Sequence, residues 1–210
     1  MSTATLPTRK PHRRQVEIRE FRRQSLLRAA LITVGKYDIE AATVARICAE
    51  AGASRGLIAH YFSSKEELLV SAIGSLFAEA QTLKEAIARD TTLDPLERIR
   101  RIARSSFEEP IYSWEAAAAW QAFSNASRHN SVYREPIRAS TQNSVNTVTP
   151  LFTLLAEQQR LRISVNEAAM GLFMLIDGLW NSLATGKDEL QTSQAISFCN
   201  THIEGCLRQD

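Results

Sequence analysis

Residues 43–62, TVARICAEAGASRGLIAHYF, decide how this chain is read. Thr43 suits the N-cap of a helix, because its hydroxyl can accept a bond from an otherwise orphaned backbone N–H. Val44, Ile47 and Cys48 follow at the spacing that places them on one helical face. Gly52 supplies the positive φ that a sharp turn needs. Ser54 is a second N-cap, opening a short helix over residues 55–61. Two short helices joined by a glycine turn make the helix-turn-helix pattern, whose second helix enters the DNA major groove. Ala49 is small where the helices are expected to cross, and Val44, Ile47, Leu57 and Ile58 can lock them together. Arg55, Gly56, Ala59 and His60 are left on the open face, with Tyr61 and Lys65 where phosphates would pass.

Working outward, helical spacing of apolar residues dominates and strand-type alternation is nearly absent, so the expected fold class is all-α. Upstream, a helix is expected over residues 18–34. Leu27, Ala30, Leu31 and Val34 form its stripe, Arg19, Arg22, Arg23 and Arg28 lie off it, and Gly35 reads as its stop. Residues 1–17 read as a flexible basic arm. Downstream, Ser64 caps a helix with Glu66 and Glu67 in its first turn, and Asp94-Pro95 starts another. Helices are then expected over residues 113–129, 131–159, 164–184 and 192–207, with Pro150 kinking the long one. The division is therefore an arm (1–17), a helix-turn-helix domain (18–65) and a larger helical bundle (66–210).

Charge follows the same division. The 210 residues carry a net +2, yet residues 1–62 hold 11 Lys/Arg against 5 Asp/Glu, leaving the rest acidic. A basic amino-terminal third on a mildly acidic body fits one region that meets a polyanion and another with different work. Apolar residues at 44% permit a sizeable core. No apolar run is long enough to span a bilayer, and the polar N-terminus lacks the apolar core of a signal peptide. Cys48, Cys199 and Cys206 read as reduced thiols, with no CxxC spacing. His12, His60, His129 and His202 are scattered, and no nucleotide-binding or nucleophile-elbow motif occurs. The expectation is a cytoplasmic protein with no enzyme activity, metal, cofactor or membrane partner.

The window around the motif resembles the TetR family of bacterial repressors. Gly35, Tyr37, Thr43, Val44, Ile47, Ala51, Gly52, Ser54, Gly56, Ile58, Tyr61, Phe62, Lys65 and Leu68 stand at that family's spacing. The resemblance implies a homodimer on a palindromic double-stranded operator, released by a small molecule held in the C-terminal bundle. It assigns DNA contact to Thr43, Ser54, Arg55, Gly56, Ala59, His60, Tyr61 and Lys65. Arg55 can bond a guanine edge in bidentate fashion, and Ala59 can touch a thymine methyl. Tyr61, Lys65 and the Thr43 amide suit phosphates. His60 can bond a base or a phosphate, or merely pack. Arg9, Lys10, Arg13 and Arg14 of the arm can reach the minor groove or stay solvated.

A narrower resemblance, to the choline-responsive repressors of the betaine pathway, rests on three segments. These are Phe107-Glu108-Glu109, Ala119-Trp120 with Phe123, and Ile176-Asp177-Gly178-Leu179-Trp180. Departures are Pro110, Tyr112, Trp114 and Ser124. A quaternary ammonium offers charge but no donor, so aromatic faces and a carboxylate must hold it. Candidate ligand residues are Phe107, Glu108, Trp114, Trp120, Phe123, Phe173, Asp177 and Trp180. Aromatics at helical spacing also serve as plain core, and Asp177 can equally be a structural or dimer residue. Two other readings stand beside this one: a repressor sensing an apolar drug or lipid, and a helical small-molecule carrier without specific DNA binding.

Overall fold

The computed structural model describes residues 11–158, 160–186 and 190–208, with side chains from residue 14 onward. These fold as α1 (Pro11–Ala41), α2 (Val44–Ala51), α3 (Arg55–Tyr61), α4 (Lys65–Arg89), α5 (Pro95–Ser105), α6 (Trp114–Ala126), α7 (Ser131–Glu157), α8 (Val165–Thr185) and α9 (Thr192–Gly205). An isolated antiparallel bridge, Leu161 to Leu207, ties the segment before α8 to the end of α9. Among the described residues the fold is all-α, and no helix is long and apolar enough to cross a membrane.

Local chemistry starts the helices where the caps stand. The Thr43, Ser54, Ser64, Ser113 and Ser164 hydroxyls each accept a backbone N–H three residues on, and the Asp94 carboxylate accepts from Leu96 and Glu97. Gly52 takes φ 59°, ψ 35°, the left-handed conformation that closes α2.

Two expectations are corrected. Helix α1 begins at Pro11, so residues 11–17 of the supposed arm are helical, while residues 1–10, with Arg9 and Lys10, lie outside the described residues. Gly35 does not stop α1. A Cβ there would sit 2.4 Å from the Glu115 carbonyl oxygen, so the glycine is needed for close approach of α1 to the start of α6. The break comes at Asp38, with φ 68° and ψ 168°, a conformation costing a non-glycine residue about 1–3 kcal/mol. Helix α7 continues through Pro136 and Pro150. Pro150 and Asn146, whose carbonyl loses its partner to the proline, are both exposed, so water can satisfy the freed oxygen.

Helix α1 packs on α2, α4 and, most extensively, α6. Helix α4 leaves the helix-turn-helix directly and lies against α5 and α7, while α8 is clasped by α6, α7 and α9. One continuous core runs from Leu26 and Leu27 through Ile47, Ile58 and Leu68 to Phe152, Leu172 and Ile203. The helix-turn-helix and the bundle thus share a core, and a shift in one has packed atoms to push on in the other.

Candidate nucleic-acid interface and effector pocket

On α3, Ile58 is buried and Leu57 packs on the core, which turns Arg55, Gly56, Ala59 and His60 outward. A Cβ on Gly56 would meet only the Ser54 hydroxyl, at 3.8 Å. The protein's own packing therefore leaves that space open. Ala49 is exposed, so the crossing of α2 and α3 does not rest on it; Ile47, Ile58 and half-buried Val44 do that work.

Basic side chains surround this face. The Arg19 guanidinium lies 5.9 Å from the centre of the Tyr61 ring, and Arg23 lies 5.5 Å from that of Phe62. His60 meets Tyr61 edge-on at 5.1 Å. Arg46 stacks on exposed Tyr37 at 4.5 Å and donates to the Ala41 carbonyl. Lys65 donates to the carbonyls of Ile39 (2.7 Å) and Glu40 (3.3 Å), tying the segment after the Asp38 break to the first turn of α4. Its third N–H is bonded to neither of these carbonyls. Thr43 and Ser54 are exposed caps whose hydroxyls already accept from Arg46 and Leu57.

The bundle holds a second site. A cavity of about 80 Å³ lies between α4, α6, α7 and α8. Trp120, Phe173, Asp177 and Trp180 line it together, and Phe77 of α4 adds a fourth aromatic wall. Phe77 meets Trp120 edge-on at 5.5 Å, and Tyr112 meets Trp180 likewise at 5.8 Å. The Trp180 indole donates to the Ser106 carbonyl at 2.8 Å, locking its ring. The Trp120 indole donates to the Asp177 carboxylate, while Asn181 bonds only the Asp177 backbone carbonyl. Burial raises the Asp177 carboxyl above its ordinary range, and the Trp120 bond works in the opposite direction.

The other four expected ligand residues lie elsewhere. Phe107 and Phe123 are buried in the core, Phe123 against the Tyr133 ring at 5.3 Å. Glu108 is exposed, 3.7 Å from Arg104. Trp114 lines a separate groove of about 780 Å³ with Gly35, Asp38, Arg128 and Asn181, between α1, α6 and α8. That groove is larger but brings a single aromatic, so the smaller cavity has the better chemistry for an onium ion.

Sequence reasoning missed Phe77, Lys84, Ser140 and Ser144, which also line the cavity. A signal existed: Leu76, Phe77, Ala80 and Lys84 recur at helical spacing, placing a lysine on the apolar stripe of α4.

Known proteins resemble this chain in sequence and in fold. A family model for bacterial regulatory proteins of the tetR family matches residues 26–72, and one for the C-terminal domain of BetI-type transcriptional repressors matches residues 95–208. A curated relative from Stenotrophomonas maltophilia, named HTH-type transcriptional regulator BetI, is 33% identical over 86% of this chain and 91% of its own. One of the same name from Burkholderia mallei is 30% identical over 90% and 95%. Among solved structures, a regulator from Saccharomonospora viridis in complex with choline superposes with TM-score 0.78 at 22% identity, covering 89% of this chain and 98% of that one. One from Pseudomonas aeruginosa PAO1 superposes with TM-score 0.74 at 24% identity, over 89% and 90%. At those identities the superpositions speak for the fold. The family models and curated relatives go further: this chain belongs to the TetR family, whose members are regulators rather than enzymes, as a DNA-binding transcriptional repressor with a BetI-type C-terminal domain.

Proposed function

We propose that this repressor is a homodimer that binds a palindromic operator and leaves it when choline or a related onium compound fills the cavity beside Asp177. The observation that carries the reading is the cavity itself. A half-buried carboxylate, oriented by the Trp120 N–H, is walled by Phe77, Phe173 and Trp180. That is the surrounding a quaternary cation needs: ring faces for its methyl groups and one negative charge without a competing protein cation against it. The choline-bound S. viridis regulator and the BetI names of the relatives support the same ligand class.

The dimer is assigned to α8 and α9. Met174, Gly178 and Ser182 form an exposed stripe on α8, and Met174 and Phe198 are 52% and 50% exposed. Large apolar groups at that exposure on two adjacent helices suit a second copy of the chain. Arg55, Gly56, Ala59 and His60 of α3 read base edges, with Thr43, Ser54, Tyr61 and Lys65 on the flanking backbone.

Coupling follows the packing. Trp120 sits on α6, whose first turn presses on Gly35 of α1, and α1 carries α2 and, through α4, the helix-turn-helix. An effector favouring one position of α6 favours one position of α1, and shifts the population towards a half-site spacing that no longer matches grooves about 34–36 Å apart.

Calorimetric titration of the full-length protein with choline, beside operator binding with and without it, tests this. Saturable binding that weakens operator affinity is expected, and Asp177→Asn should lower choline affinity at least about tenfold while leaving operator affinity unchanged. Absence of onium binding, or an operator affinity indifferent to it, refutes the reading in favour of an apolar effector.

A further inference from the structure

The cavity contains a cation that a choline site does not need. Lys84 of α4 lines it together with Asp177, yet the two do not act on one another as an ion pair. The Lys84 ammonium donates to the Ser144 hydroxyl at 3.3 Å, and no carboxylate pairs with it among the described residues. The neighbouring acid, Glu85, is engaged elsewhere, accepting from Gln81 and Arg89. Ser140, one turn before Ser144 on α7, lines the same end of the cavity.

Charge accounting then constrains the occupant. Asp177 and Lys84 give the cavity one negative and one positive group, with no ion pair between them. Lys84 lies seven residues beyond Phe77, about 10 Å along α4, while Phe77 touches the tryptophan that orients Asp177. A simple monocation satisfies Asp177 but leaves the Lys84 charge half-buried and unpaired, and brings a like charge into its cavity. A neutral apolar ligand leaves both charges unpaired. A molecule carrying both signs satisfies both ends.

We propose, building on the effector site assigned above, that the cavity takes a zwitterion. The onium group rests between the aromatic walls and Asp177, and an oxyanion of the same molecule, a carboxylate or phosphate, lies on the Lys84 ammonium and the Ser140 and Ser144 hydroxyls. Bonding the Lys84 N–H groups directly, the oxyanion replaces a neutral hydroxyl partner with an opposite charge, so the ammonium gains the ion pair it lacks. Lys84 is thus the residue that separates betaine-type ligands from choline.

The test is calorimetric titration of the full-length protein with choline, glycine betaine, 4-(trimethylammonio)butyrate and phosphocholine, a series that varies the distance between the charges. At least one zwitterion should bind about tenfold or more tightly than choline. Lys84→Met should abolish that preference and leave choline binding equal or tighter, the retained choline affinity showing that the variant is folded. Choline binding as tightly as every zwitterion overturns the proposal while leaving the onium site standing, and so does an unchanged ligand ranking in Lys84→Met. Absence of binding by all four removes the onium site and this proposal together.

Discussion

The helix-turn-helix and the effector cavity are built on opposite plans. In the first, the residues proposed to read DNA lie within one short stretch and point outward from a buried scaffold: Arg55, Gly56, Ala59 and His60 stand exposed over Ile58. In the second, the residues proposed to hold the effector come from four helices far apart in the chain and point inward, so each is also part of the packing. An outward site can change without disturbing the fold, whereas an inward one cannot. Recognition and stability are separable at α3 and coupled around Trp120.

Trp120→Ala should have the largest effect. Removing a buried indole costs about 3–5 kcal/mol of stability, visible as a lowered thermal midpoint, and the onium response should vanish with it. A variant that keeps its midpoint would break the contrast, because the cavity would then tolerate change as a surface does.

Gly35→Ala comes next and addresses the joint between the regions. Its new methyl would meet the Glu115 backbone at 2.4 Å, where no side chain can swing aside, so a loss of about 3 kcal/mol is expected, the upper part of the overpacking range. Operator affinity measured in the same variant should change even though the residue is remote from α3. If the melt falls and operator affinity does not, α6 and α1 do not carry the signal.

Arg55→Ala should cost about 1–3 kcal/mol of operator affinity and relax selectivity at one base position. Its thermal midpoint and choline affinity should match those of the parent protein. Unchanged discrimination between operator variants would remove Arg55 from base reading.

The smallest effect concerns Lys84, whose ammonium burial holds down at about 8, below its ordinary 10.5. A lowered folded value means the unfolded chain binds the extra proton, so the burial penalty is full below about pH 8 and disappears as pH rises towards 10.5. Lys84→Met in the ligand-free protein should therefore raise the thermal midpoint at pH 7. The gap between variant and parent should close between pH 8 and 10.5. A gap constant with pH would mean that the methionine gains by packing alone.

The same contrast explains what could be read early. The caps Thr43, Ser54, Ser64, Asp94, Ser113 and Ser164 act over two or three residues, so the sequence displays both partners side by side. Gly35 was ambiguous because a glycine signals a stop and a close approach alike, and the atom that decides between them belongs to Glu115. The eight expected effector residues divided for the same reason. Aromatic identity and helical spacing are equal for Phe123 and Phe173, and only the direction of the facing helices sends one into the core and the other to the cavity wall.

Sequence alone determined the all-α class, the helix starts marked by side-chain caps and the exposed face of α3, since these depend on bonds and periodicities that close within a few turns. Tertiary structure decided that Gly35 joins α1 to α6, that Lys65 holds the carbonyls behind the Asp38 break, and that Asp177 shares a cavity with Lys84. Each of those depends on two elements meeting in space at one height and rotation. Packing of the whole core sets that meeting, and no single helix specifies it.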